Sequence, residues 1–265
     1  MNGILAIIAN GLLAGYALKK GSVSPSGGLV GFGIGFLIFW GGGARAWIVL
    51  GVFFLTSSFL SKLTSRSKRF AEQLNKKGSR RDGIQAFANG GPGAIALAFF
   101  GLTGHYGWIG FFLGSMACAT ADTWSSEVGV HSSRPPRSIL TGRIVDPGTS
   151  GGISPLGTLA AVAGSVVIGL SAIPLLWVQG LPLGLFFFVS LLGGILGSFL
   201  DSFLGATIQK RYLGNDGRLT EKSEKDGVKL PRAPGLGLLN NDGVNIVSNT
   251  LTGLGAYGVS YLFLG

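Results

Sequence analysis

Long apolar stretches, studded with glycine and separated by short polar loops, recur along the whole chain. Eight read as helical spans: 3–18, 26–41, 45–60, 84–101, 105–124, 153–176, 183–208 and 240–264. Some fall short of the roughly 20 residues that a bilayer crossing needs, and 26–60 also reads as a tight hairpin around Gly41, Gly42 and Gly43. The pattern predicts an all-α, polytopic integral membrane protein of about 7–8 transmembrane helices with glycine-rich packing. It forms a single transmembrane domain over 1–265, with loops at 62–82, 125–152 and 209–238. The first apolar stretch opens without a basic residue, so it reads as a span and not as a cleaved signal.

Composition agrees. Hydrophobic residues make up 47% and charged residues 12%, where a soluble domain carries about 25% charged. The 47 glycines follow no triplet period, which excludes a collagen-like chain and leaves close helix approach as their use. The single cysteine, Cys118, forms neither an internal disulfide nor a cysteine metal cluster.

The net charge of +10 is unevenly placed. Basic residues fall at 19–20, 62–81, 134–143 and 210–232, with Arg45 the exception, whereas the alternate loops GLTGHYG and PLLWVQGLPLG carry none. By the positive-inside rule both termini face outward and the long loops face the cytoplasm. No basic patch is interleaved with stacking aromatics and no recognition motif occurs, so nucleic acid is not an expected partner.

On that topology the polar residues gather at one depth. Asp82, Gln85 and Asn89 open the fourth span, and Asp122, Ser125, Ser126 and Glu127 close the fifth. Ser198, Asp201, Ser202 and Gln209 occupy the cytoplasmic part of the seventh, and Asn240, Asn241, Asp242, Asn245 and Asn249 open the eighth. Several repeat at helical spacing, so each set forms one stripe that faces protein or water instead of lipid. Interhelical hydrogen bonding accounts for residues such as Ser198 and Asn249. It accounts poorly for Asp122, Asp201 and Asp242, since a carboxylate at a membrane helix centre costs roughly 2.5–3.5 kcal/mol on insertion scales. Asp, Glu and Asn oxygens suit Mg²⁺, which keeps several waters and is shared with substrate phosphates. No zinc constellation exists: His105 falls in an outward loop and His131 stands alone.

The loop TGRIVDPGTSGGISPLGT precedes a helix that is expected to start at Ser154 and Pro155. Its glycines free backbone N–H groups for an anion, and Arg137 and Arg143 are available to phosphate oxygens. The Gly-Lys-Ser/Thr ending of a Walker A loop is absent. Carboxylates, a cation site and an anion loop at one membrane face are the parts that phosphoryl or nucleotidyl transfer needs. Of the remaining segments, 62–81 reads as an amphipathic interfacial helix and 215–235 as a polar linker or lid.

Five blocks, RRDGIQAFANGG, GSMACATADTWSSEVG, GTSGGISPLGT, GSFLDSFLGATIQ and NNDGVNIVSN, together resemble the membrane phytyl-phosphate kinases of tocopherol synthesis, in order over roughly residues 80–250. The resemblance implies an all-helical membrane enzyme that phosphorylates an isoprenoid monophosphate to the diphosphate. Its donor would be a nucleoside triphosphate such as CTP, and its cofactor Mg²⁺. It marks Asp122, Glu127, Asp201 and Asp242 as the metal and phosphate centre, with Asn89, Thr149, Gly151, Gly152, Asn241 and Asn245 lining the site. In the roles assigned here, Asp122 and Asp201 hold Mg²⁺ together with Glu127, Asp242 assists the attacking phosphate, and Arg81 and Arg143 grip phosphates. A cation-coupled transporter and a lipid cytidylyltransferase are the alternatives. The first would place its carboxylates near the midplane, and the second would release pyrophosphate.

Overall fold

The computed structural model describes residues 2–63, 71, 80–214, 217–225, 227–233 and 235–264. Its helices are α1 (Asn2–Lys19), α2 (Pro25–Leu60), α3 (Gly83–Thr103), α4 (Gly107–Gly129), α5 (Pro155–Ser171), α6 (Ile173–Val178), α7 (Leu183–Thr207) and α8 (Asn241–Leu264). Short two-residue strands decorate the loops: β1 (Arg137–Ser138) with β2 (Gly152–Ile153), β3 (Tyr212–Leu213) with β4 (Leu219–Thr220), and β5 (Glu224–Lys225) with β6 (Val228–Lys229), each pair antiparallel. The chain is a helical membrane bundle, as the apolar pattern predicts.

The helix α2 is the hairpin allowed for by the Gly41–Gly43 run. Gly43 leaves helical geometry, with φ 70° and ψ −172°. A straight helix of 36 residues would be about 54 Å long. Yet Arg81 meets both limbs: a Cβ on Gly27 would strike its carbonyl oxygen, and its guanidinium lies 5.5 Å from the Phe53 ring. The limbs 25–42 and 44–60 are therefore two antiparallel passes, which gives eight passes among the described residues. Near the bend, Gly41 sits against the Leu97 carbonyl and the Gly101 backbone of α3.

The central helix is α4, buried on all sides from Ile109 to Ala121. A helix apolar all round needs neighbours all round, and α2, α3, α5, α7 and α8 supply them. Small residues set the spacing. Gly114 meets Ala256 of α8 and the Gly193 backbone of α7, Gly194 meets Ser165 of α5, and Gly197 meets Cys118. Lipid supplies no hydrophobic drive between helices, so close backbone packing of this kind is what holds them.

Length and apolar composition alone mark α2, α3, α7 and the continuous α5–α6 stretch as membrane spans. The spans α4 and α8 are diluted by the polar residues they deliver to one end of the bundle. At the opposite end His105 stacks on Tyr257 and Tyr261, and Trp108 packs on Phe99 and Tyr257. Such an aromatic layer is characteristic of a membrane–water boundary. The structure also moves a boundary: α4 runs to Gly129, five residues past the predicted end, and its last turns form part of a cavity wall.

Candidate functional site

Six passes bring their polar ends to one cavity of about 420 Å³. Ser61 closes the second limb of α2, and α3 contributes Gln85 and Asn89, with Arg81 just before its start. Asp122, Ser125, Ser126 and Glu127 come from the last turns of α4, Asp201, Ser202 and Gly205 from α7, and Asn241, Asp242 and Asn245 from the start of α8. Ser154, the N-cap of α5, and the loop Gly148–Gly152 complete the wall.

Asp201 is held by two side chains of α8. Its Oδ2 accepts from Ser248 Oγ at 2.7 Å and, with the Asn245 amide nitrogen turned toward it, from Asn245 at 3.1 Å. Asp122 lies close enough for the two charges to interact, and Glu221 adds a third charge beside Asp201. Asp242 is buried in the first turn of α8, where the helix dipole favours an anion. Glu127 accepts from Ser61 at 2.6 Å and faces Arg81. Burial lowers the Arg81 pKa from its ordinary value, and Glu127 pulls it the other way.

Backbone contacts hold Arg81 in place. Its N–H donates to Ser22 and its carbonyl accepts from Ser24 at 2.9 Å, tying the start of α3 to the start of α2. Asp82, read above as part of the polar stripe, is instead the N-cap of α3: it accepts from the Gln85 N–H at 2.8 Å while the Gln85 side chain accepts from its own N–H, a capping box. Asn249 donates to the Ala88 carbonyl at 2.9 Å, which is the interhelical role expected for it.

The glycine-rich loop reaches the cavity on backbone geometry that favours glycine. Gly148 and Gly151 have φ of 86° and 82°, and a Cβ on Gly151 would come within 2.5 Å of Ala206 on α7. The predicted anion cradle is only partly present, because the Thr149 N–H is taken by the Asp146 carbonyl and the Gly152 N–H by the Thr149 carbonyl. The helix starts of α3, α5 and α8 all meet the cavity, each with the positive end of its dipole.

Of the residues singled out from sequence, Asp122, Glu127, Asp201, Asp242, Arg81, Asn89, Thr149, Gly151, Gly152, Asn241 and Asn245 all line this one cavity. Arg143 does not. It stands exposed on the loop between α4 and α5, and Arg137 turns its guanidinium back onto the Gly142 carbonyl at 2.9 Å. His131 is exposed too, a loop histidine as expected. The amphipathic-helix reading of 62–81 falls almost wholly outside the described residues.

The segment 215–235 departs from the linker reading. Its described residues fold into short hairpins, Arg218 pairs with Asp146 at 3.6 Å across to the neighbouring loop, and Glu221 enters the cavity wall. Gln209 donates to Glu221 at 2.7 Å and Ser150 at 3.5 Å, so this loop is tied to both α7 and the glycine-rich loop. Sequence reasoning passed over Glu221 and Ser248. Ser248 follows Asn245 at i+3, a signal that was available; Glu221 sits among loop charges with nothing to distinguish it.

Every donor atom set toward the cavity by these acids is oxygen, the chemistry that suits Mg²⁺. Among the described residues no three His, Cys, Asp or Glu side chains converge to hold an ion. Glu127 therefore does not complete a set with Asp122 and Asp201. Two carboxylates still fit an ion that takes its remaining ligands from water and substrate phosphates.

The family profile for integral membrane protein DUF92 matches residues 8–253. The chain is 35% identical to Protein PGR of Arabidopsis thaliana, over 94% of this chain and 93% of that protein. It is 30% identical to an uncharacterized membrane protein of Methanocaldococcus jannaschii, covering 89% and 86%, and 27% identical to one of Synechocystis sp., covering 76% and 80%. No solved structure matches the chain. With its residues matched almost end to end, the chain belongs to the DUF92 family of integral membrane proteins.

Proposed function

We propose that this protein is a Mg²⁺-dependent membrane kinase. It would transfer the γ-phosphate of a nucleoside triphosphate, CTP by the family resemblance, to an isoprenoid monophosphate such as phytyl phosphate, giving the prenyl diphosphate. The observation that carries the reading is the charge of the cavity. Among its described lining residues are five carboxylates, Asp122, Glu127, Asp201, Glu221 and Asp242, against two basic groups, Arg81 and Lys210. Such a wall repels phosphates unless a divalent cation stands between them.

Each group then has work suited to its place. Asp122 and Asp201 would hold Mg²⁺, with Ser248 and Asn245 keeping Asp201 turned toward it. When bound, the ion would neutralise phosphate oxygens and align donor with acceptor. Arg81 would hold the acceptor phosphate, its position fixed by the start of α2. The positive ends of α5 and α8 would face the donor phosphates. In the transfer an oxygen of the prenyl phosphate bonds to the γ-phosphorus as the bond to the leaving nucleoside diphosphate breaks. The attacking monoester is already ionised near neutral pH, its second pKa being about 6, so no strong base is needed. Asp242, buried beside the site, would orient it.

The walls of the cavity favour an enzyme over a midplane transporter: Ser132, Pro136, Gly148–Gly152, Tyr212 and Ser223 line it, so the acids share one chamber with the loops between the helices. Purified protein given Mg²⁺, a panel of CTP, ATP, UTP and GTP, and phytyl or geranylgeranyl monophosphate should yield prenyl diphosphate and nucleoside diphosphate by mass spectrometry. A nucleotide-linked lipid with pyrophosphate would make it a cytidylyltransferase. No product with any donor, from folded protein, would end the kinase reading and turn attention to ion flux.

By the positive-inside rule the basic loops around the cavity would put the site on the cytoplasmic side, with both termini outside. Cys118 is buried, so the native chain gives little thiol background. A cysteine at Thr103 or Gln179 should react with an impermeant maleimide from outside, and one at Ser223 only after permeabilisation. The opposite pattern would invert the topology.

A further inference from the structure

A second cavity lies against the first. It is an apolar groove of about 70 Å³ between α1, both limbs of α2 and α3, walled by residues such as Ala14, Gly31, Ile34, Leu50, Phe53 and Phe54. Arg81, Gln85 and Asn89 line both cavities, so the groove opens directly into the polar site at the place assigned to the acceptor phosphate. Its inner end meets Asn10, whose amide is engaged with the Ala6 carbonyl at 2.8 Å and the Trp47 indole at 2.9 Å. From Gly27 to Ile34 the wall rises about 10 Å.

We propose that this groove seats the phosphate-proximal part of the tail of the prenyl monophosphate; the proposal rests on the kinase reading for the identity of the head group. Charge complementarity selects the occupant. A ligand spanning the two cavities has an anionic head at Arg81 and an apolar body in the groove, which describes a phosphate monoester on a hydrocarbon chain. The depth admits the first part of a long tail and leaves the rest to the bilayer. Preference for the branching of the tail next to the phosphate therefore resides in α1, α2 and α3, away from the carboxylates.

Gly31 provides the test. It lines the groove and a Cβ there meets nothing within 4 Å, so Gly31→Leu fills the space without disturbing the backbone. Gly33 has the same open surroundings but is exposed and outside the groove, so Gly33→Leu is the matched control. The probe is geranylgeranyl monophosphate carrying a diazirine near its phosphate end, photolysed with the full-length protein in nanodiscs. Crosslinks should map to α1, α2 and α3. Capture should fall about tenfold in Gly31→Leu, the loss expected for about two methylenes of burial, and stay within about twofold in Gly33→Leu. In turnover, Gly31→Leu should raise KM for geranylgeranyl monophosphate by a similar factor, and Gly33→Leu should leave it within about twofold.

Crosslinking needs no turnover, which separates the two claims. A protein that captures the probe in the groove yet makes no diphosphate loses the kinase reading and keeps the groove. Crosslinks elsewhere, equal capture by Gly31→Leu and wild type, or displacement of the probe by phosphatidic acid but not by unlabelled prenyl monophosphate would each overturn the groove.

Discussion

Asp201→Asn should reduce turnover by about a thousandfold or more while leaving the bundle folded. The expectation follows from what the substitution changes. Asparagine keeps the size of the side chain and an oxygen to accept from Ser248 at 2.7 Å, so the packing of α7 on α8 survives. What disappears is one of two interacting negative charges, and with it the charge on which a cation bound between Asp122 and Asp201 would depend. A group that acts by holding charge in the transition state takes its full contribution with it when neutralised, and single losses of that kind are worth about 10²–10³ or more in kcat. Asp122→Asn should behave the same way, and the double variant should be little worse than either, because both serve one ion. Stability should hold or improve, since removing a buried like charge relieves repulsion. Turnover and the unfolding temperature in detergent, measured on both single variants, decide it. Activity within tenfold of wild type in both would remove the shared-ion reading, and loss of activity together with loss of folding would make the carboxylates structural.

The result would also bear on how the site was legible. The topology read from the loops put Asp122, Asp201 and Asp242 at the same membrane face, and the cost of a carboxylate in lipid makes each conspicuous. The alternation of basic and uncharged loops indicated which helix ends would meet, and eight crossings came from the length of the apolar runs. Backbone detail was not legible in this way. Nothing in a sequence says that Gly43 turns α2 back while other glycines of the same helix do not, and the turn shows only once Arg81 is found against both limbs. Arg143 and Glu221 show the limit in loops. Both were charged residues in polar segments; loop pairing left Arg143 exposed, and the β3–β4 hairpin with the Gln209 hydrogen bond carried Glu221 inward. Asp82 looked like a member of a functional stripe because an N-cap and a site residue share the same position, the start of a helix.

The second large effect is expected away from the carboxylates, at Gly197. A Cβ there would come within 2.5 Å of Cys118 Sγ and 2.8 Å of Thr252 Oγ1, so α7 can approach α4 and α8 this closely only with glycine at the crossing. Gly197 precedes Asp201 by one helical turn and Cys118 precedes Asp122 by one turn. The crossing that glycine permits is thus continuous with the approach of the two carboxylates. Gly197→Val must push α7 outward and open that pair. Overpacking of a helix core typically costs about 1–3 kcal/mol, and a β-branched residue facing two helices at once belongs at the upper end. A lower unfolding temperature in detergent is therefore expected, with a fall in turnover of at least about a hundredfold, since a misplacement of about 1 Å at a catalytic pair has that consequence. Gly197→Ala should show a smaller version of both, and Cys118→Ala, which removes the sulfur that the new methyl meets, should restore part of the loss. Rescue of that kind would be specific to the crossing, because Cys118 lines neither cavity. A Gly197→Val protein with wild-type stability and turnover would mean that the spacing of α4 and α7 is not what sets the carboxylate pair.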